Sequence, residues 1–234
     1  MKRILLVEDD KNMARQICYY LDEEDCYQIE VVENAKSALN LSLEHFDIIL
    51  LDVMLPDGNG IDLCNELRKH QSCPILFISC LNDSSTIIHA LDCGGDDYIT
   101  KPFDHGILHA RIQANLSRVQ IEQQEKNEKL IENAGITLNG KNQTVEIDGT
   151  IIPLLPIEFR ILAFLMQNPG ECYRSSELYH YLWGTSSYGD NRTVVVHIYN
   201  LRKKIEKDPK FPKIIRSIWK KGYCFDPLGS VQEG

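Results

Sequence analysis

Residues 47–58 read DIILLDVMLPDG: the apolar residues Ile48 to Leu51 run directly into Asp52, and Val53-Met54-Leu55-Pro56 then leads to the turn pair Asp57-Gly58. A short, near-continuous apolar run is the pattern of a strand buried on both faces, as in parallel sheets covered by helices. Its carboxylate sits where the strand emerges into a loop. Three further runs end in the same manner. Ile4 to Val7 leads into Glu8-Asp9-Asp10, Ile75 to Ile78 into the hydroxyl of Ser79, and Tyr98-Ile99-Thr100 into Lys101-Pro102. In open parallel sheets ligands bind beyond the carboxyl ends of the strands, where strand order reverses, so these ends would build one site.

Outward from that run, strands are expected near 3–7, 28–32, 47–51, 74–78 and 97–99, with amphipathic helices near 11–22, 35–44, 58–69, 84–92 and 104–118. Strands alternating with helices imply right-handed crossovers and an α/β domain over residues 1–119. Residues 120–133 (QIEQQEKNEKLIEN) are rich in Gln, Glu, Lys and Asn and read as a helix extension passing into a solvated linker. A second domain is expected over 134–228, with a tail at 229–234. It opens with short strands punctuated by Asn139-Gly140 and Asp148-Gly149. Helices follow at 156–167, with proline first, at 175–182 and at 191–207, before a hairpin around Trp219-Lys220-Lys221-Gly222. Three helices and a terminal hairpin describe an α+β winged helix-turn-helix.

The 234 residues and 43% hydrophobic content suit two ordinary domains, each with its own core. The net charge of -9 is unevenly spread. Residues 1–120 hold 10 Lys+Arg against 20 Asp+Glu, whereas residues 191–221 hold ten basic residues against Glu206 and Asp208. An acidic front and a basic rear imply different partners. The eight cysteines lack CxxC spacing and read as reduced, mostly buried thiols. No secretory signal is read at the start, and no run approaches the ~18 apolar residues of a membrane span, so a soluble, cytoplasmic protein without a membrane partner is expected.

Glu8, Asp9 and Asp52 converging on one edge would repel one another unless a cation is present, and a hard divalent ion held by a few carboxylates and waters fits Mg²⁺. One carboxylate, Asp52, can then act as a nucleophile towards phosphorus, with Lys101 and Ser79 binding phosphoryl oxygens. Singly, these residues have bland readings: Asp10 and Asp57 are suited to be helix caps, and Ser79 a strand-end hydroxyl. Together and in order they point to a phosphoryl site.

The segments ILLVEDD, ILLDVMLPDGNG, LFISC and GGDDYITKPF resemble the receiver domain of bacterial two-component response regulators. The resemblance implies a five-stranded, doubly wound, flavodoxin-like sheet, with Asp52 accepting a phosphoryl group from a sensor histidine kinase. Glu8 and Asp9 become the acidic pair, Met54 a carbonyl ligand of Mg²⁺, Ser79 and Lys101 phosphoryl contacts, and Tyr98 an aromatic switch. The Lys101-Pro102 bond is expected to be cis. Asp96, Asp97, Arg111 and Arg118 match a charged face used for two-fold dimers, with isoleucines at 87 and 107 where that face often carries a salt bridge. An apolar Ile87–Ile107 contact is the expected replacement. Slow self-dephosphorylation is expected, because apolar Met54 and Leu81, two residues beyond the acceptor and the hydroxyl, give little help in orienting a hydrolytic water; a phosphoacceptor rather than an enzyme is expected.

On the helix from Asn191, the stripe Val194, Ile198, Leu201 and Ile205 reads as core, with Arg192, Val196, Tyr199, Asn200, Lys203 and Lys207 opposite. Cations, an amide and a methyl-bearing residue suit phosphates, base edges and thymine methyls. PIEFRILAFL, NPGECYRSSELYHYLWG, NRTVVVHIYNLRKKIE and KKGYCF resemble the winged-helix output domain of the OmpR and PhoB subfamily. The resemblance implies promoter DNA as a partner, homodimers on direct repeats, and RNA polymerase as a further partner. It places Arg192, Thr193, His197 and Arg202 on common DNA or phosphate contacts and Val196, Tyr199 and Asn200 on the variable base-reading face, while Lys220 and Lys221, by their place on the hairpin, add to Lys203 a second contact surface for phosphate or the minor groove. Val195, Pro156, Trp219 and Lys220 depart from the subfamily's usual residues. A haloacid-dehalogenase-like phosphatase would need a DxD pair, which Asp52-Val53-Met54 lacks, and no GxxxxGK supports a GTPase. A regulator acting without phosphorylation, as a constitutive dimer, is the other alternative.

Overall fold

The computed structural model describes residues 1–22, 27–124, 130–184 and 192–229, the side chains of 117–124 excepted. The chain forms two compact units, one of Met1–Val119 and one that begins at Gln120.

The first unit runs β1 (Lys2–Val7), α1 (Lys11–Asp22), β2 (Tyr27–Val32), α2 (Ala35–Asn40), β3 (Ile48–Leu51), a small hairpin of β4 (Met54–Leu55) and β5 (Gly58–Asn59), α3 (Gly60–Leu67), β6 (Ile75–Ser79), α4 (Ser84–Asp92), β7 (Asp97–Thr100) and α5 (His105–Gln124). Its sheet has the order β2-β1-β3-β6-β7 and is parallel throughout. The α/β class expected from the strand-end pattern is therefore the observed one. All four residues of β3 are fully buried, which is why the run carries no polar alternation. Order reverses between β1 and β3, and the crevice there opens at Glu8 and Asp52.

Register fixes those two acids as neighbours. Val7 pairs with Leu51, and the Asp52 amide donates to the Val7 carbonyl at 3.0 Å. The far end of the same pair is held by Asp47, which accepts from Lys2 Nζ and from the Arg3 amide, both at 2.8 Å. Helix α3 starts two residues later than expected, because Gly58-Asn59 pairs with Met54-Leu55 and the Asn59 side chain then caps the helix by accepting from the Ile61 amide at 2.8 Å. Asp10 and Asp57 are caps as well. Asp10 accepts from the Asn12 amide at 2.8 Å, and Asp57 from the amides of Ala35 and Lys36 at 2.7 and 3.0 Å.

The second unit contains β8 (Leu130–Asn133), β9 (Ile136–Asn139), β10 (Thr144–Ile147), β11 (Thr150–Pro153), α6 (Pro156–Gln167), β12 (Cys172–Tyr173), α7 (Ser175–Trp183), α8 (Arg192–Ile205), β13 (Ile215–Ile218) and β14 (Gly222–Phe225). An antiparallel sheet of order β11-β10-β9-β8 precedes the helices, and a three-stranded sheet of order β12-β14-β13 closes the unit. Ala134-Gly135 and Asp148-Gly149 both have positive φ, the paired left-handed conformation of tight hairpin turns. Helix α6 begins with Pro156, and Glu158 reaches back to accept the Leu155 amide at 2.8 Å.

The helix extension expected at the start of 120–133 is present, α5 running on to Gln124, but the linker expectation needs correction at its far end: Leu130–Asn133 is an edge strand, paired Ile131 to Leu138, rather than solvated linker. Its polar alternates hid the strand, while Ile131 packs on the core. Residues 125–129 of that expectation, and 230–234 of the expected tail, lie outside the described residues.

A side chain at position 60 would collide with the chain that carries Asp52: its Cβ would lie 1.9 Å from the Asp52 carbonyl oxygen and 2.9 Å from Val53 Cα. Both neighbours are backbone. Gly60→Ala is expected to cost roughly 1–3 kcal/mol through forced backbone displacement. Urea unfolding should show a lowered midpoint, and an unchanged midpoint would mean the loop yields without cost.

Candidate functional site

Glu8, Asp52, Ser79 and Lys101 arrive from the ends of β1, β3, β6 and β7 and meet at one point. Lys101 Nζ lies 2.7 Å from Glu8 Oε2 and 2.5 Å from Asp52 Oδ2, with all three side chains almost wholly buried. The other Asp52 oxygen, Oδ1, accepts from the Met54 amide at 3.0 Å. Burial pushes the Glu8 carboxyl above the ordinary carboxylate range, and the hydrogen bond and charge of Lys101 offset this only in part. Burial would depress the Lys101 ammonium, but hydrogen bonds to Asp52 and Glu8 outweigh it and the net effect is upward. The lysine is thus a fixed cation.

Asp9 is exposed and completes a group of three carboxylates, with Glu8 and Asp52, whose ligand atoms lie within 4.8 Å of one another. Hard oxygen donors at this spacing, one solvent-facing, fit a small divalent cation that keeps part of its water shell. The Met54 side chain is exposed, on the loop directly after Asp52.

Ser79 is fully buried, and its carbonyl accepts from the Lys101 amide at 2.8 Å. The Lys101-Pro102 bond is cis. Tyr98 points inward: it is buried, and its hydroxyl donates to the Leu81 carbonyl at 2.7 Å. Burial pushes its phenol upward, a shift that a hydrogen bond with Ser79 reduces. The aromatic ring, the hydroxyl and the site lysine are therefore mechanically linked.

The expected dimer face is largely interior. Asp97 and Arg111 are buried and pair at 2.9 Å, with Arg111 also donating to the Tyr98 carbonyl. Asp96 turns to Arg68 at 2.6 Å and to the Ile75 amide at 2.8 Å. Ile87 is buried as well, and the outward apolar residue of α4 is its neighbour Ile88. Ile107 is half-buried and packs on the sheet core. Charge is legible in a sequence but direction is not, since charged residues that satisfy one another can lie inside. The Arg118 side chain lies outside the described residues.

In the second unit the core stripe of α8 is as expected: Val194, Ile198, Leu201 and Ile205 are all buried. The opposite face is narrower than expected. Val196 and Asn200 are buried, and so are Thr193 and His197, which the resemblance had placed at DNA. The buried arc extends along one flank of the helix, where the rings of Trp183 and His197 stack at 6.2 Å. What faces outward is Val195, Tyr199 and Lys203, with Tyr199 and Lys203 joined by an ammonium-ring contact of 4.7 Å and Arg192 half-buried beside them; Lys204 is exposed too but reaches Glu158 at 2.6 Å, and Lys207 is exposed just past the end of α8. Asn191 is outside the described residues. Arg202 is occupied with the hairpin, donating to the Ile215 carbonyl at 2.9 and 2.7 Å and to Ser217 Oγ at 2.9 Å. Trp219, Lys220 and Lys221 are exposed at the hairpin tip. Lys220 has φ 60, a conformation that glycine adopts without strain.

Two family models match the chain. Residues 4–113 match the response regulator receiver domain, and residues 149–225 match the C-terminal domain of transcriptional regulatory proteins. Among curated proteins, the chain is similar to the transcriptional regulatory protein YrkP of Bacillus subtilis, 36% identical over 95% of this chain and 97% of that one. It is 33% identical to the sensory transduction protein RegX3 of Mycobacterium tuberculosis, over 95% of this chain and 98% of that one. The response regulator SaeR of Staphylococcus epidermidis is also 33% identical, over 97% and 99%. Among solved structures, a mutant of RitR superposes with a TM-score of 0.75 at 27% identity, covering 100% of both chains.

Proposed function

Because the chain belongs to the two-component response regulators that join a receiver domain to a C-terminal transcriptional regulatory domain, we propose that Asp52 is its phosphoacceptor and that the phosphoryl group controls a dimer on promoter DNA. As a response regulator it regulates transcription. The observation that carries the phosphoacceptor reading is the shared ammonium: Lys101 bridges Asp52 and Glu8 in a buried pocket that Asp9 opens to solvent. Asp52 Oδ2 attacks phosphorus, and the bond from phosphorus to the donor, a kinase histidine, breaks. Lys101 stays within reach of the charge that moves onto the phosphoryl oxygens, and the Met54 amide holds Asp52 in place. Glu8, Asp9 and Asp52, with the Met54 carbonyl, would hold Mg²⁺. When bound, that ion supplies charge neutralisation at the carboxylates and the phosphoryl oxygens.

Ser79 is one hydrogen bond away from Tyr98, so a shift of the hydroxyl towards a phosphoryl group is passed to the tyrosine ring. Tyr98 already lies inward. The phosphorylated state is read as favouring the dimer, with apolar contact through the exposed Ile88 in place of the expected Ile87–Ile107 contact, since Ile87 is buried. In the second unit we assign base reading to the outward wedge of α8 around Tyr199, and phosphate contact to Lys203, Lys220 and Lys221. RNA polymerase is retained as a partner of the DNA-bound protein.

Acetyl phosphate with Mg²⁺ should label the wild type once per chain and leave Asp52→Asn unlabelled, and a chelator should abolish labelling. Repeated turnover of small phosphate esters would support a phosphatase instead, and a label that survives Asp52→Asn would overturn the assignment. The acyl phosphate should persist for many minutes, since Met54 and Leu81 offer no polar group to orient water. Loss within seconds would count against that.

Sedimentation of the phosphorylated protein at low and high salt should give a dimer at both, because apolar contact is not screened. Dissociation that steepens with salt would favour a charged interface, and a dimer of equal strength without phosphate would favour the phosphorylation-independent alternative.

On DNA, Tyr199→Ala should relax sequence preference, whereas Lys221→Ala should weaken all sequences alike and reduce the salt slope by about 1. Equal loss of preference in both variants would contradict the division of roles.

A further inference from the structure

Cys172 and Cys224 are far apart in sequence but occupy directly paired positions on neighbouring antiparallel strands, β12 and β14. Side chains at paired positions project from the same face of a sheet, and paired Cα atoms in antiparallel strands are ~4.5–5.5 Å apart, within the span of a disulfide. The two strands approach closely here: a Cβ on Gly222 would lie 2.1 Å from the Tyr173 carbonyl oxygen. Both thiols are free. Cys224 is fully buried and Cys172 half-buried, so a small solute reaches Cys172 first.

We propose that Cys172 and Cys224 form a redox-active dithiol, which a peroxide closes to a cross-strand disulfide at the base of the terminal hairpin. The Cys172 sulfur takes one peroxide oxygen as the O–O bond breaks, and the departing hydroxide leaves with the thiol proton as water. The Cys224 sulfur then displaces the sulfenic oxygen from Cys172. The S–O bond breaks, the S–S bond forms, and the Cys224 proton leaves with the hydroxide as a second water. Two thiols are oxidised and one peroxide is reduced to two waters. Burial, followed by the hydrogen bond with Cys172, pushes the Cys224 thiol up to about 12, so Cys224 stays a thiol and the first encounter with peroxide falls to the more accessible Cys172. Oxidation would tie the strand that leads into α7 to the strand that carries the hairpin.

The full chain is reduced, exposed to hydrogen peroxide, alkylated and digested without reductant. The expected product is one cross-linked peptide joining Cys172 to Cys224, with an intact mass lower by about 2 Da, reversed by a dithiol reductant. The oxidised protein should melt at higher temperature and its amides in 222–225 should exchange more slowly, while Cys172→Ser should show neither change nor cross-link. Cys172 found as sulfinic or sulfonic acid beside a free Cys224 would overturn the proposal. So would a disulfide that uses any of the other six cysteines in place of this pair. Should Cys172→Ser not fold, the wild-type peptide map decides alone.

Discussion

One ammonium group holds the receiver pocket together. Glu8 and Asp52 are adjacent because the β1–β3 register leaves no alternative, and two buried carboxylates at that spacing repel. Lys101 Nζ, between them at 2.7 and 2.5 Å, cancels part of that cost. Leaving a buried charge without its partner costs about 3–5 kcal/mol, so the fold tolerates this acidic edge only with the lysine in place. The same placement makes the site chemically useful. A cation already positioned beside the nucleophile needs no reorganisation when charge moves onto a phosphoryl group. Stability and reactivity here rest on the same contact.

Much of this was legible from the chain alone, for a physical reason. Strand β3 is buried on both faces, so its sequence is an uninterrupted apolar run, and the residue that ends such a run must lie at the sheet edge. The four strand ends named their side chains without any three-dimensional knowledge. Direction was harder to read. Asp96, Asp97 and Arg111 look like surface charges in sequence, yet each finds an internal partner, and nothing local distinguishes a solvated aspartate from one that meets an arginine fourteen positions away. Strand β8 was missed because its polar alternates matched the preceding charged run.

The recognition helix shows a related limit. Periodicity located its core stripe correctly, but a period gives the centre of a buried arc and not its width. Tertiary packing widens that arc over Thr193, Val196, His197 and Asn200. Likewise, the pairing of Cys172 with Cys224 depends on the register of strands about fifty residues apart, which no local pattern encodes.

That wider arc changes how the basic charge of residues 191–221 should be counted. Glu206 accepts the amides of Lys213, Ile214 and Ile215 at 2.8, 2.8 and 2.9 Å, while Arg202 donates to the Ile215 carbonyl and Ser217. Burial lowers the Arg202 guanidinium, though not to a pH at which it loses its proton. These two residues fasten the end of α8 to β13, and Arg216 pairs with Asp226 at 2.6 Å to brace the same sheet. Part of the charge that suggested nucleic acid therefore holds the helix and the hairpin as one body. Lys204 reaches Glu158 at 2.6 Å, and the outward remainder is Lys203 on the helix, Lys207, Lys210 and Lys213 on the segment after it, and Lys220 and Lys221 on the hairpin tip, with Arg192 half-buried. The fastened helix and hairpin carry Lys203, Lys220 and Lys221 on one body, so phosphate contact from the helix and from the hairpin tip is coupled rather than independent.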